Sequence, residues 1–298
     1  MFNPNKVKVG ISPIGWTNDD LPELGGDIPF LTCIDDMEAE GYQGCEIGNK
    51  FPKDPKKLKP LLDKRGLVAC NEWFPTYFTS RPYEDTIELF QKQSDKMQAL
   101  GGNIIGASEQ GNSIQVQSLP VFGENKPILT DEQWKTLAKG YNQMGEMARE
   151  RGQYFCVHHH MGTGIQTEDE IERLMDLTDP ELVFLVFCIG HMVCAGNDAE
   201  KMLKKYVKRV RHVHMKDVRQ AVRKRAIKEK MSFLDAVYAG IFTIPGNGDV
   251  AFEPLLKILD ENGYEGFLMV EAEQDPAKAP PREYAKRARA YIREHTGL

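Results

Sequence analysis

The chain has no excess of positive charge and no long apolar run. Its 298 residues include 38 Lys and Arg against 44 Asp and Glu, which gives a formal net charge of −6. Nucleic-acid-binding proteins usually present a basic surface, so this balance disfavours a nucleic-acid partner. The longest apolar run, residues 182–189, is far shorter than the roughly 20 residues that a membrane span needs. We therefore expect a protein that contacts neither nucleic acid nor a membrane.

The six cysteines show no pairing pattern, and two common enzyme motifs are missing. No Cys-x-x-Cys occurs, and a chain of this size can bury a core without crosslinks. With no recognisable signal peptide, we expect reduced cysteines and a cytoplasmic location. No Gly-x-Gly-x-x-Gly follows the first predicted strand, and no Gly-x-Ser-x-Gly occurs. These absences disfavour a dinucleotide-binding sheet and a serine hydrolase.

Apolar segments with the length of buried strands alternate with helical segments along the whole chain. The predicted strands span residues 7–12, 44–48, 67–73, 103–109, 154–158, 182–188, 209–214 and 266–271. Strands that alternate with helices indicate a parallel sheet with right-handed crossovers, and eight such units predict a (β/α)8 TIM barrel. We predict one barrel domain over residues 1–298, with a one-helix insertion at about 218–248. An open doubly wound sheet is the alternative.

Polar residues cluster where the predicted strands end. Barrel enzymes carry their functional groups at the C-terminal ends of the strands, so these residues are candidates for a site. The last four strands supply His158, His160, Cys188, His191, His214, Lys216, Glu271 and Glu273. The first four strands supply Trp16, Asn18, Glu72, Trp73 and Glu109.

The residue types in the second half suit a metal and a polyhydroxylated ligand. Strand alternation puts His158 and His160 on one face. Imidazole nitrogen and carboxylate oxygen together suit Mn2+, Co2+, Fe2+ or Zn2+. Lys216 could act as an acid, a base or a stabiliser of a developing oxyanion. The tryptophans with nearby amides and carboxylates suit a hydroxyl-rich ring. The alternative is that these groups only form structural hydrogen bonds and ion pairs.

Long stretches of the sequence are similar to the inosose dehydratase (2-keto-myo-inositol dehydratase) family, which belongs to the xylose isomerase-like barrels. The similar stretches are SPIGWTNDD at 12–20, SEQ at 108–110, HHHMGTGIQT at 158–167, HVHMKD at 212–217 and EAEQDP at 271–276. Together they extend over nearly the whole chain. The resemblance implies a lyase of inositol catabolism that removes water from a cyclic polyhydroxy ketone to leave a diketone.

The resemblance also implies cofactors and residue roles. A divalent metal, Mn2+ or Co2+, would assist the reaction, with glutathione as a further cofactor and a homo-oligomer as one option. Carried over by position, the metal ligands are His158, Cys188, His214 and Glu271. The candidates for proton transfer are Lys216, His160 and Glu273. The candidates for substrate binding are Trp16, Asn18, Glu72, Trp73, Glu109 and His191.

One position departs from the family pattern. The sixth strand of the family ends in Asp-Thr-Gly-His, and its Asp supplies a metal carboxylate. This chain reads Cys188-Ile189-Gly190-His191. A thiolate suits Zn2+ or Co2+ better than Mn2+, so we expect an altered metal preference or an impaired activity. Two alternatives stay open: a ketose isomerase or epimerase on the same barrel, and a sugar-binding barrel without catalysis.

Overall fold

A computed structural model describes all residues, 1–298, and shows a parallel barrel surrounded by helices. The strands of the main sheet are β1 Val7–Ile11, β2 Gly44–Ile47, β3 Val68–Glu72, β4 Phe74–Thr76, β5 Ile104–Glu109, β6 Tyr154–His158, β7 Val183–Cys188, β8 Val210–His214 and β11 Gly266–Val270. All their pairings are parallel, as expected when a helix connects successive strands. The xylose isomerase-like TIM barrel predicted from the sequence is confirmed.

The nine strands make an eight-membered ring because one strand is broken. The sheet runs in the order β3-β2-β1-β11-β8-β7-β6-β5-β4. Its two ends, β3 and β4, are consecutive in sequence and are separated by Trp73 alone. Since β3 pairs with β2 and β4 pairs with β5, the broken strand joins the two edges and closes the barrel.

Helices follow the strands and cover the barrel. They are α1 Phe30–Ala39, α2 Pro55–Asp63, α3 Tyr83–Leu100, α4 Asp131–Glu150, α5 Glu168–Leu177, α6 Ile189–Ala195, α7 Ala199–Tyr206, α10 Phe252–Glu261 and α11 Pro281–Thr296. Thr130 and Thr167 start α4 and α5 with capping boxes, and each side chain accepts from the backbone N–H three residues on. The short helix α6 was not predicted. It places His191 directly after β7.

A second apolar core lies beside the mouth of the barrel. The segment between β8 and α10 contains strand β9 Asp217–Val218, helices α8 Gln220–Lys228 and α9 Phe233–Tyr238, and strand β10 Phe242–Thr243. The prediction of one helix in this segment was therefore one helix short. The core joins side chains of this segment to helix α6 and to loops after β1, β5 and β6: Leu21, Leu24, Val121, Met161, Cys194, Val218, Ala226, Phe233, Ala236, Val237, Ile241 and Phe242.

No helix has both the length and the apolar character that a membrane span would require.

Candidate active site

Three side chains from adjacent strands converge at the mouth of the barrel. His158 ends β6, Cys188 ends β7 and His214 ends β8, and their ligand atoms all lie within 4.8 Å of one another. Register pairs Cys188 with His214, so the two side chains leave neighbouring strands at one level. All three are buried, and neither ring nitrogen of His158 has a hydrogen-bond partner. Buried polar atoms are rarely left unpartnered, so these ring nitrogens are candidates to bind a ligand.

Lys216 forms a buried ionic centre next to this cluster. Its Nζ lies 2.7 Å from Glu271 Oε2 and 2.6 Å from Glu273 Oε2. It also donates to His191 Nε2 at 3.1 Å. Gly190 makes this approach possible, because a Cβ there would collide with the Lys216 side chain. The structure thus brings together four residues, Lys216, His191, Glu271 and Glu273, that sequence reasoning placed on three different strand ends.

Burial and the positive charge of Lys216 determine which groups of this centre are protonated. Burial alone would lower the pKa of Lys216, but Glu271 and Glu273 outweigh it and raise the pKa, so the amine stays protonated. Burial raises the pKa of Glu271 to about 8 despite Lys216. Burial alone would also raise the pKa of Glu273, but the charge of Lys216 outweighs burial and lowers that pKa. The centre therefore holds an ionised Glu273 beside a carboxyl group that can exchange a proton near neutral pH.

His160 and His191 stack beside Glu273. Their ring centroids are 3.8 Å apart, and His191 Nε2 lies 3.8 Å from Glu273 Oε1. Nδ1 of His160 lies 2.8 Å from the Met161 carbonyl oxygen, which requires an N–H on Nδ1 and leaves Nε2 as an acceptor. Burial, then Lys216, lowers the pKa of His160 to about 4, so the ring is neutral at neutral pH.

A second layer below the cluster contains residues that sequence reasoning did not assign. Glu46 of β2 lies inside the barrel, where His212, His214 and Asn71 all point at its Oε1. Burial alone would raise the pKa of Glu46, but the two histidines outweigh burial and hold that pKa well below its usual range. The available signal was an isolated Glu between Cys45 and Ile47 in a strand that is otherwise apolar.

The structure does not bring Glu109 or Glu72 into the cluster. The Glu109 carboxylate accepts from backbone N–H groups of the 78–79 segment and Gly111 and from the hydroxyls of Thr76 and Thr79. Glu72 points the other way and pairs with Lys96 of α3 at 2.7 Å. Both carboxylates hold loops or helices in place, which leaves their role in substrate binding as a prediction.

The remaining predicted substrate contacts also lie outside the cluster. Trp16 is buried, and its Nε1 donates to Asp36 of α1 at 3.0 Å. Asn18 Oδ1 accepts from the backbone N–H of Asp20 and of Leu21, which shapes the loop after β1. Trp73 is 41% exposed at the break between β3 and β4. Of these three side chains, only Trp73 is open to a ligand from solvent.

A polar contact across the mouth was not predicted. Gln115, in the loop after β5, donates from Nε2 to Asp20 Oδ2 at 2.7 Å. Its Oε1 is buried without a partner. Asp20 also lies close enough to Lys216 and Glu273 for their charges to act on its pKa, which burial raises. These two side chains are therefore additional candidates to contact a ligand above Lys216.

Comparisons with known proteins identify the family of the chain. The profile of the family described as "Xylose isomerase-like TIM barrel" matches residues 34–295. The chain is 52% identical over 298 residues to an inosose dehydratase of Geobacillus thermodenitrificans, with 100% of both chains covered. It is 50% identical over 299 residues to an inosose dehydratase of Clostridium tetani, again over 100% of both.

A solved structure also shares the fold. An IolI protein with a bound zinc atom superposes with a TM-score of 0.73 at 14% identity, over 98% of this chain and 100% of that one. At that identity the likeness concerns the fold alone. The full-length identity to the two relatives is what decides the family: the chain belongs to the inosose dehydratase family of xylose isomerase-like TIM barrels.

Proposed function

We propose that this chain removes water from an inosose, a cyclic polyhydroxy ketone, to form a diketone. The observation that carries the proposal is the contact of Lys216 with both Glu271 and Glu273, directly beside the His158–Cys188–His214 cluster. Abstraction of a proton next to a ketone needs a base and a cation for the oxygen that gains charge, and this centre supplies both. The full-length similarity to inosose dehydratases supports the choice of substrate.

The cluster residues fit a divalent metal. His158 has two buried ring nitrogens without partners, and Nδ1 of His214 is likewise unpartnered. Glu271, 3.6 Å from His214 Nδ1, stands where a fourth ligand could come from. Two imidazoles, a thiol and a carboxylate are a donor set for Zn2+ or Co2+ rather than Mn2+. When bound, such a metal would polarise the ketone as a Lewis acid.

Glu273 and His160 are the candidate bases. Glu273 is ionised, because Lys216 lowers its pKa, and it is held at the site by that same contact. The free Nε2 of neutral His160 is a second acceptor. In the proposed reaction, one of them takes the proton from the carbon next to the ketone. The electron pair of that C–H bond becomes the new C=C bond as the β-hydroxyl leaves. The resulting enol loses its O–H proton and gains a proton at the β-carbon, which gives the diketone.

Lys216 is the candidate electrostatic group. Its ammonium has no competing solvent, since the side chain is fully buried. A donor fixed in such a site stabilises the developing enolate oxygen more strongly than water would. The base that has taken the proton can pass it to the departing hydroxide, which leaves as water and balances the reaction. Gln115 and Asp20 are placed to contact ring hydroxyls on the solvent side.

The cysteines support a narrower proposal. All six are unpaired and buried, which supports a reducing compartment such as the cytoplasm. Glutathione, the further cofactor that the resemblance implies, stays a prediction.

The test is turnover of 2-keto-myo-inositol by purified protein loaded in turn with Zn2+, Co2+ and Mn2+. We expect diketone absorbance to grow with Zn2+ or Co2+ and to be lost after chelation. Equilibrium binding of the keto-inositol should be measured in parallel. Binding without turnover under any metal would instead support a sugar-binding barrel, and interconversion of a linear ketose would support an isomerase or epimerase.

A further inference from the structure

The carboxylate of Glu46 is the meeting point of three donors inside the barrel. His212 Nε2 lies 3.0 Å, His214 Nε2 3.1 Å and Asn71 Nδ2 2.7 Å from its Oε1. Asn71 is itself oriented by the backbone, because its Oδ1 accepts from the N–H of Gly106 at 2.6 Å. A carboxylate buried this deeply is costly unless such contacts compensate for the lost water. The arrangement is therefore specific to a charged acceptor at position 46.

This contact decides which nitrogen of His214 carries the proton. A neutral imidazole, the form that binds a metal, has one N–H and one lone pair. An oxygen of an ionised carboxylate can only accept, so Nε2 must donate. The lone pair then lies on Nδ1, which is buried, has no hydrogen-bond partner, and faces Glu271 at 3.6 Å.

We propose that Glu46 is a positioning residue that holds His214 in the Nε2–H form and so presents its Nδ1 to a metal at the His158–Cys188–His214 cluster. The metal is part of the proposed function, and the inference rests on it to that extent. Glu46 contacts the cluster through His214 and is not one of the proposed metal ligands. Carboxylates that accept the second N–H of a metal-binding histidine orient the ring and make its lone pair more basic.

The inference makes two measurable statements. In the metal-free protein, nitrogen NMR of the imidazoles should show His214 as the Nε2–H tautomer. In Glu46→Gln, the acceptor loses its charge, so His214 should populate a mixture of tautomers. The same variant should bind Co2+ roughly 10- to 100-fold more weakly, which is the usual effect of removing such a partner. Affinity is read from the thiolate-to-cobalt absorption band during titration.

Glu109→Gln is the matched control. Glu109 is also a buried carboxylate at a strand end that accepts several hydrogen bonds, but none of them comes from the cluster. This control should lower the melting temperature and leave both the tautomer of His214 and the Co2+ affinity unchanged. A loss of stability common to both variants is thereby separated from an effect on His214.

Two results would overturn the inference: an Nδ1–H tautomer of His214 in the wild-type protein, or a Glu46→Gln variant with unchanged tautomer and Co2+ affinity. If the wild-type protein binds no Co2+ or Zn2+, the metal part of the proposed function fails. The tautomer comparison between wild type and Glu46→Gln then still decides whether Glu46 positions His214.

Discussion

The two halves of the barrel mouth use the same residue types in opposite ways. In the first half, Glu109 is saturated by backbone and hydroxyl donors, and Glu72 faces outward to Lys96. In the second half, His158 is buried with no partner at all, and Lys216 gathers Glu271 and Glu273 around one cation. Glu109 and Glu72 in the first half hold the scaffold, whereas His158 in the second half keeps both ring nitrogens free of protein partners.

The difference shows that a polar residue at a strand end is a weak sign of function by itself. What separates Glu109 from His158 is whether the polar atoms already have hydrogen-bond partners within the protein. Buried polar atoms without partners cost stability, and natural proteins accept that cost mainly at functional sites. Replacing one side chain in each half tests this difference.

Replacing the central cation should have the largest effect. Lys216→Met removes the ammonium and keeps much of the side-chain volume, so Glu271 and Glu273 lose their shared partner. We expect dehydration of the keto-inositol to fall about 10²- to 10³-fold, the usual loss when a donor to a developing oxyanion is removed. The measurement is the initial rate of diketone formation. Lys96→Met, which removes the matching cation of the first half, should change that rate less than about twofold.

Removing the thiol should mainly affect the metal. Cys188→Ala deletes one of three converging donors, so affinity for Co2+ should fall by at least the roughly 10- to 100-fold seen for changes in outer partners. Cys194→Ala, another buried cysteine close by in α6, should leave the affinity unchanged. Equal losses in the two variants would show that a general packing defect, rather than the Cys188 sulfur, weakens binding.

Removing the saturated carboxylate of the first half should mainly affect stability. Glu109→Gln replaces an acceptor-only group by an amide, which leaves donors of the loop after β4 poorly matched. We expect the free energy of unfolding to fall by about 1–3 kcal/mol. Urea unfolding of the metal-free protein measures it. An unchanged midpoint together with a weakened Co2+ affinity would reverse the assignment of the two halves.

The metal affinity should also depend on pH. Burial raises the pKa of the Cys188 thiol and raises that of Glu271 to about 8, so both are protonated in the metal-free protein at neutral pH. Because ligands must lose their protons to bind, affinity should rise with pH, by about tenfold per pH unit for each proton released. Co2+ titrations at about pH 6 and at about pH 8 measure how steeply the affinity rises with pH. A flat profile would mean that neither group is a ligand.

The sequence pattern was sufficient for the fold because each unit of the barrel carries its own signal. Short apolar runs, helical periodicity and caps such as Thr130 and Thr167 are local features. The break at Trp73 was missed because the pairing of β3 with β2 and of β4 with β5 decides it. Helix α6 was missed because its seven residues are too few to show a helical period. Local propensity contains no information about either.

For the site, sequence reasoning identified the strand ends but not the direction of each side chain. His158, Cys188 and His214 converge as the resemblance implied, and Lys216 lies between Glu271 and Glu273. Whether a carboxylate such as Glu109 is free or satisfied depends on loops that are distant in sequence. Glu46 was noted at the end of its strand but given no role, because its partners His212 and His214 lie 166 and 168 residues away.

X-ray absorption on protein loaded with one equivalent of Zn2+ tests the central claim most directly. If the free groups of the second half form the site, the zinc shell should contain one sulfur at about 2.3 Å and nitrogen at about 2.0–2.1 Å. The sulfur should vanish in Cys188→Ala and persist in Cys194→Ala. A shell of nitrogen and oxygen alone, or zinc that dialyses away from the wild-type protein, would contradict the account.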